Sequence, residues 1–110
     1  MASAHLNALG RHLALAGFMG SGKSRFGEEV AKRLGRPFVD LDREIEARTG
    51  SRIPDLFAER GESGFREVES DVALDVLRAP EPVTVALGGG TVLSAPVREA
   101  LAAAAFTVLI

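Results

Sequence analysis

Gly17-Phe-Met-Gly-Ser-Gly-Lys-Ser24 is the stretch that decides the fold. Its spacing, G-x-x-x-x-G-K-[ST], is that of a phosphate-binding P-loop. Glycines let a backbone take left-handed angles and come close to an anion. The N–H groups at the start of a following helix, with the helix dipole, point at phosphate. Lys23 can reach the β- and γ-phosphates as a mobile point charge, and the Ser24 hydroxyl can ligate Mg²⁺. The same spacing also arises in glycine-rich turns, so the flanking sequence decides. His12-Leu-Ala-Leu-Ala16 precedes the loop as a buried strand would, and Phe26, Val30 and Leu34 recur every four residues after it, as on a helix. Strand, glycine loop and helix in that order read as a nucleoside triphosphate site built on Gly17, Gly20, Ser21, Gly22, Lys23 and Ser24.

Working outward, strands alternate with helices. The first strand is predicted at 12–16, and its helix at 22–34 ends at Gly35. Pro37-Phe-Val-Asp-Leu41 reads as a second strand, followed by a short helix from Asp42, a candidate N-cap, to Thr49 before Gly50. Residues 53–60, with Pro54 in the first turn, and 62–78 read as two helices. On the second, Phe65, Val68, Val72 and Val76 form a stripe, with Glu62, Arg66, Glu67 and Asp71 off it. Val83-Thr-Val-Ala-Leu87 is a third strand, 95–104 a helix and Phe106-Thr-Val-Leu-Ile110 a fourth strand. Apolar strands alternating with helices argue for an α/β fold whose parallel sheet is covered on both faces. Ligands of such sheets sit beyond the carboxyl ends of the strands. The P-loop, Asp40/Asp42 and Gly88–Gly90 are therefore expected on one rim.

Length and composition set limits. A chain of 110 residues suits one small domain, and 46% hydrophobic content supports a packed core. A net charge of −2 gives no electrostatic reason to expect nucleic acid or a membrane surface as partner. The chain has no Cys, hence no disulfide framework and no thiolate metal site, which fits a cytoplasmic protein. Residues 1–11 read as a flexible leader without the basic start of a signal peptide. No apolar run approaches the ~18 residues of a membrane-spanning helix. The domain is placed at 12–110. Because the sequence stops within the apolar run 106–110, read as a core strand, the expectation is a truncated domain.

Three further features carry chemistry. Asp40-Leu41-Asp42 closes the second strand, and alternation along a strand would send both carboxylates to one face. Beside a bound nucleotide, one could hold Mg²⁺ through water and the other accept a proton from an attacking hydroxyl. The pair reads equally well as a turn and helix cap. Arg66 is either a solvated charge or, if it faces the cleft, a fork for a carboxylate. Gly88-Gly-Gly90 either exposes backbone N–H groups to a substrate oxygen or forms an ordinary tight turn.

Together these pieces resemble the shikimate kinase family. The resemblance rests on Gly17–Ser24, Phe38-Val-Asp-Leu-Asp42 with Ile45-Glu46, and Arg48-Thr-Gly-Ser-Arg-Ile53. It continues through Phe57, Gly61-Glu62, Phe65-Arg-Glu-Val-Glu69 and Leu87-Gly-Gly-Gly90, covering about residues 13–110. It implies a three-layer P-loop NTPase fold like that of nucleoside monophosphate kinases, incomplete at the C-terminus without the family's lid and adenine-binding segments. The implied reaction is ATP-dependent phosphorylation of the 3-hydroxyl of shikimate, with Mg²⁺, by a cytoplasmic monomer. In that reading Lys23 binds the transferring phosphate, Ser24 binds Mg²⁺ and Asp40 holds a metal-bound water. Asp42 binds the shikimate hydroxyls and orients or deprotonates the attacking one. Arg66, held by Glu69, clamps the carboxylate; Gly88, Gly89 and Gly90 close over the ring, and Ile53, Phe57 and Phe65 wall it, core packing being an equally good reason for these three. The sequence departs from the family at Arg25, a long cation that either adds charge to the phosphates or crowds them where Thr is usual, and at Ala86, where Ser or Thr is common. A gluconate kinase and a catalytically idle nucleotide- or shikimate-binding module are the competing readings.

Overall fold

The structure, a computed structural model, describes residues 11–17 and 22–110. Four parallel strands, β1 (His12–Ala16), β2 (Phe38–Asp40), β3 (Thr84–Ala86) and β4 (Ala105–Leu109), form a sheet in the order β2-β3-β1-β4. Between them run α1 (Lys23–Leu34), α2 (Leu41–Thr49), α3 (Ile53–Arg78), a 3₁₀ turn (Thr91–Leu93) and α4 (Ala95–Ala104). Residues 1–10 of the predicted leader (1–11) and the predicted P-loop positions Phe18, Met19, Gly20 and Ser21 lie outside the described residues. No helix among the described residues is long and apolar enough to cross a membrane.

The sheet is covered on both faces, as a parallel sheet requires. Ala14 and Ala16 of β1 with Val85 and Leu87 pack into one core with Leu41, Ile45, Leu56, Phe65, Val76, Val97 and Leu101 from α2, α3 and α4. Leu15 points the other way, to α1. There the predicted stripe shifts by one residue: Phe26 is 44% exposed, whereas Gly27 and Ala31 are buried. The reason is closeness of approach. A Cβ on Gly27 would overlap the Phe38 ring and touch Leu15 Cδ1 at 3.1 Å, so only the smallest residue lets α1 lie on the sheet. β4, like β2, is an edge strand of the described sheet, and Phe106, Val108, Leu109 and Ile110 are exposed, where their apolarity predicts a core strand.

Element ends follow local chemistry closely. Gly22 caps the start of α1 at φ 82°, a left-handed angle that favours glycine, and no side chain caps this helix. Gly35 and Gly50 close α1 and α2 in the same left-handed region. The helix ladder of α3 is broken at Gly61 (φ 74°, ψ 178°), which divides it where the two helices 53–60 and 62–78 are expected to part. β2 is shorter than predicted. Leu41 is already helical and fully buried, and the N-cap of α2 is Asp40, not Asp42: Asp40 Oδ1 accepts from the Arg43 N–H at 3.3 Å.

Candidate active site

In register, Asp40 of β2 pairs with Ala86 of β3, which pairs with Leu15 of β1, so the carboxyl ends of three strands finish side by side. Beyond them opens a cleft of about 230 Å³. Gly22 to Arg25 line it from the start of α1, Asp40 and Asp42 from the β2–α2 junction, and residues 86–89 from the end of β3. Three segments distant in sequence thus meet where a parallel sheet binds ligands.

Lys23 Nζ donates to the Gly17 carbonyl across 2.8 Å. The first-turn N–H groups of a helix without a side-chain cap are left for water or a ligand. Ser24 Oγ donates to Asp40 Oδ2 at 2.6 Å. This corner fits Mg²⁺: a hydroxyl that gives its proton to a carboxylate keeps its lone pairs for a cation. Mg²⁺ also characteristically takes one or two protein oxygens and fills its octahedron with water and phosphate. No cluster of three or more His, Cys, Asp or Glu able to hold a metal exists among the described residues. Arg25 lines the same cleft and is exposed. Ala86 offers no hydroxyl beside it.

Strand alternation does not explain how Asp40 and Asp42 come together, because the chain turns helical between them; Asp42 reaches the cleft from the first turn of α2. One side of Asp42 opens to solvent while the chain crowds the other. Desolvation there raises its pKa above the usual carboxylate range. The negative charges of Asp40, Glu69 and Glu46 add to the rise, and Lys23 acts against it.

Arg66 borders an adjoining open groove of about 890 Å³, shared with Glu62, Ser70 and Ser94, and not the cleft beside Lys23. The glycine turn runs between the two. A Cβ on Gly88 would sit 2.9 Å from Glu69 Oε2 and 3.1 Å from Asp42 Oδ1, and one on Gly90 would overlap the Arg66 guanidinium. None of the three glycines has a positive φ. Gly88 and Gly90 therefore give space to carboxylates and a guanidinium more than conformational freedom to the chain. Arg66 Nη1 donates to Glu69 Oε1 at 2.8 Å, as expected for neighbours one turn apart. Arg66 Nε is buried without a hydrogen-bond partner, an arrangement suited to an incoming oxygen. The guanidinium lies 5.9 Å from the Phe57 ring centre and 5.5 Å from that of Phe65. These rings stack at 4.3 Å; Phe65 is buried, Phe57 is 36% exposed, and Ile53 packs against the core.

Sequence reasoning does not single out Thr91. Its hydroxyl, in a residue only 1% exposed, donates to Glu69 Oε2 at 3.1 Å. The available signal is a hydroxyl residue directly after the glycines, but its partner lies 22 positions away.

A family model described as shikimate kinase matches residues 19–110. Shikimate kinase of Geobacillus kaustophilus (strain HTA426) is 47% identical over 90 residues, covering 82% of this chain and 48% of that protein. The Paramagnetospirillum magneticum (strain ATCC 700264 / AMB-1) shikimate kinase is 47% identical over 102 residues, covering 93% and 52%. Among solved structures, shikimate kinase from Acinetobacter baumannii in complex with shikimate superposes with a TM-score of 0.89 at 38% identity, covering 97% of this chain and 59% of that one. Shikimate kinase from Bacteroides thetaiotaomicron gives 0.85 at 35% identity, covering 91% and 56%. The chain spans about half the length of the curated relatives it matches.

Proposed function

Because this chain belongs to the shikimate kinase family, we propose that its cleft binds Mg²⁺-ATP and shikimate for transfer of the γ-phosphoryl group to the 3-hydroxyl of shikimate. The observation that carries the reading is convergence. Lys23, the Ser24–Asp40 pair and Asp42 share one cleft, and the glycine turn joins it to Arg66.

Each residue has a distinct task. The loop backbone, including Gly17, Gly20, Ser21 and Gly22, cradles the phosphates, and Lys23 follows the moving phosphoryl group with its charge. Arg25 adds a second cation on the α1 side. Ser24 would hold Mg²⁺ directly and Asp40 through water, and Mg²⁺ held there would supply charge neutralisation to the nucleotide's phosphates. Arg66 takes the shikimate carboxylate on its fork, using the Nε–H that the protein leaves unpaired. Gly88, Gly89 and Gly90 close on the ring. Asp42 orients the attacking hydroxyl and accepts its proton as the oxygen bonds to phosphorus and the bond to ADP breaks. A pKa above the ordinary carboxylate range makes it the stronger base while it remains ionised. Most of the catalytic effect in such transfer is positioning and charge stabilisation.

The reading extends to a cytoplasmic monomer; the absence of Cys supports the compartment, and sedimentation checks the monomer. The experiment for the activity is ADP release by the purified chain with Mg²⁺-ATP. Release that depends on shikimate, and is lost in Lys23→Ala, is expected. Release with gluconate alone would move the chain to the gluconate kinases. Binding of both ligands without turnover would leave an idle binding module.

A further inference from the structure

We propose that Thr91 is a positioning residue for the acceptor: its buried hydroxyl fixes Glu69, and Glu69 in turn fixes the guanidinium of Arg66. The inference rests on Arg66 as the carboxylate clamp. The two oxygens of Glu69 are divided between two donors, Oε1 taking Arg66 Nη1 at 2.8 Å and Oε2 taking Thr91 Oγ1 at 3.1 Å. With Arg66 alone, a Glu three residues along the same helix could turn about its last torsion, which is broad and roughly two-fold. Held at both oxygens, it cannot turn without losing a hydrogen bond inside the protein.

Burial makes that loss matter. Glu69 is 3% exposed and Thr91 1%, so no bulk water replaces a missing donor. Thr91 is also tied to the turn that must close over the ring. Its N–H donates to the Gly88 carbonyl at 3.2 Å, and a Cβ on Gly88 would lie 3.1 Å from its hydroxyl oxygen. One residue therefore joins the glycine turn by its backbone and the Arg66 support by its side chain. The branched Cβ of Thr restricts χ1 and keeps the hydroxyl in that direction. Neither Thr91 nor Glu69 lines the cleft beside Lys23 and Ser24. The effect is confined to the acceptor, and the nucleotide side is spared.

The test compares Thr91→Val, which keeps the shape and removes the hydroxyl, with Thr91→Ser, which keeps the hydroxyl, and uses Thr91→Ala should the Val variant fail to fold. Shikimate and Mg²⁺-ATP affinities are measured separately by calorimetry on the full chain. Rotation of the Arg66 guanidinium is followed by ¹⁵N NMR without ligand. Loss of one buried hydrogen bond predicts a roughly tenfold weaker shikimate affinity in Thr91→Val with little change for Mg²⁺-ATP. Thr91→Ser should stay near the parent, and guanidinium rotation should be slow in the parent and Ser variant but fast in Val. Equal losses for both ligands, or a guanidinium equally ordered in Thr91→Val, would overturn the proposal. If the parent binds no shikimate, the clamp reading of Arg66 fails; the NMR comparison then decides by itself whether Thr91 orders Arg66.

Discussion

Ser24 Oγ and Asp40 Oδ2 stand 2.6 Å apart in a hydrogen bond that ties the first turn of α1 to the end of β2. Asp40 serves twice, because its other oxygen accepts from the Arg43 N–H and starts α2. The same carboxylate thus supports the proposed metal corner and the helix that delivers Asp42.

Those two duties separate by mutation. Asp40→Asn retains a good cap but removes the charge, so Mg²⁺-ATP affinity should fall while metal-free ATP binding and the melting temperature change little. Asp40→Ala should lose the cap as well, at a cost of about 1 kcal/mol. Calorimetry with and without Mg²⁺, together with thermal unfolding, distinguishes them. An equal loss of ATP affinity with and without the metal would remove Asp40 from the metal corner.

Asp42 should set the acid limb of activity. Its pKa is raised first by desolvation and then by Asp40, Glu69 and Glu46. Activity should therefore begin to fall at a higher pH than an unperturbed Asp would give. The stability sign is the reverse of a salt-bridged Asp. The folded state binds this proton more tightly than the unfolded chain, so stability falls as pH rises from the unfolded to the folded pKa. Asp42→Asn should melt higher than the parent at neutral pH, and the difference should vanish in acid. It should also lose turnover. A parent and variant with parallel melting curves across pH would contradict the assignment.

Gly90→Ala should lower shikimate affinity with little effect on stability. The backbone there (φ −107°, ψ 3°) accepts a side chain, but the new Cβ would occupy the place of the Arg66 guanidinium, the mobile end of a long chain. Gly89→Ala places its Cβ in open space and should cost less. If the two variants bind shikimate alike, Gly90 is not there to make room for Arg66.

Gly61→Ala should destabilise the protein by about 1–3 kcal/mol, because φ 74° with ψ 178° is close to glycine-only territory. Urea unfolding measures it. A change within error would mean that the break in α3 relaxes freely.

Much of the fold is legible in the sequence. The strand His12–Ala16, the helix ends at Gly35 and Gly50 and the helix Ala95–Ala104 follow from local apolar pattern, glycine and cap chemistry. The Arg66–Glu69 pair is legible for the same reason, its members standing three positions apart, whereas Asp40, the partner of Ser24, lies 16 positions away. The buried face of α1 is not. Periodicity favours Phe26, but the contact with Phe38 and Leu15 demands Gly27. Nor does alternation show that Leu41 leaves the strand for the core, which makes Asp40 the cap and carries Asp42 into the cleft on a helix.

The sequence by itself determined a P-loop between a strand and a helix, a parallel α/β plan and a family. These depend on the order and spacing of residues along one chain. Tertiary structure decided what the remaining residues do. The glycine turn is narrow because Glu69, Asp42 and Arg66 crowd it, and Glu69 is fixed because Thr91, 22 positions away, supplies the second donor. The physical reason is that burial and hydrogen-bond satisfaction are settled between segments that only folding brings together.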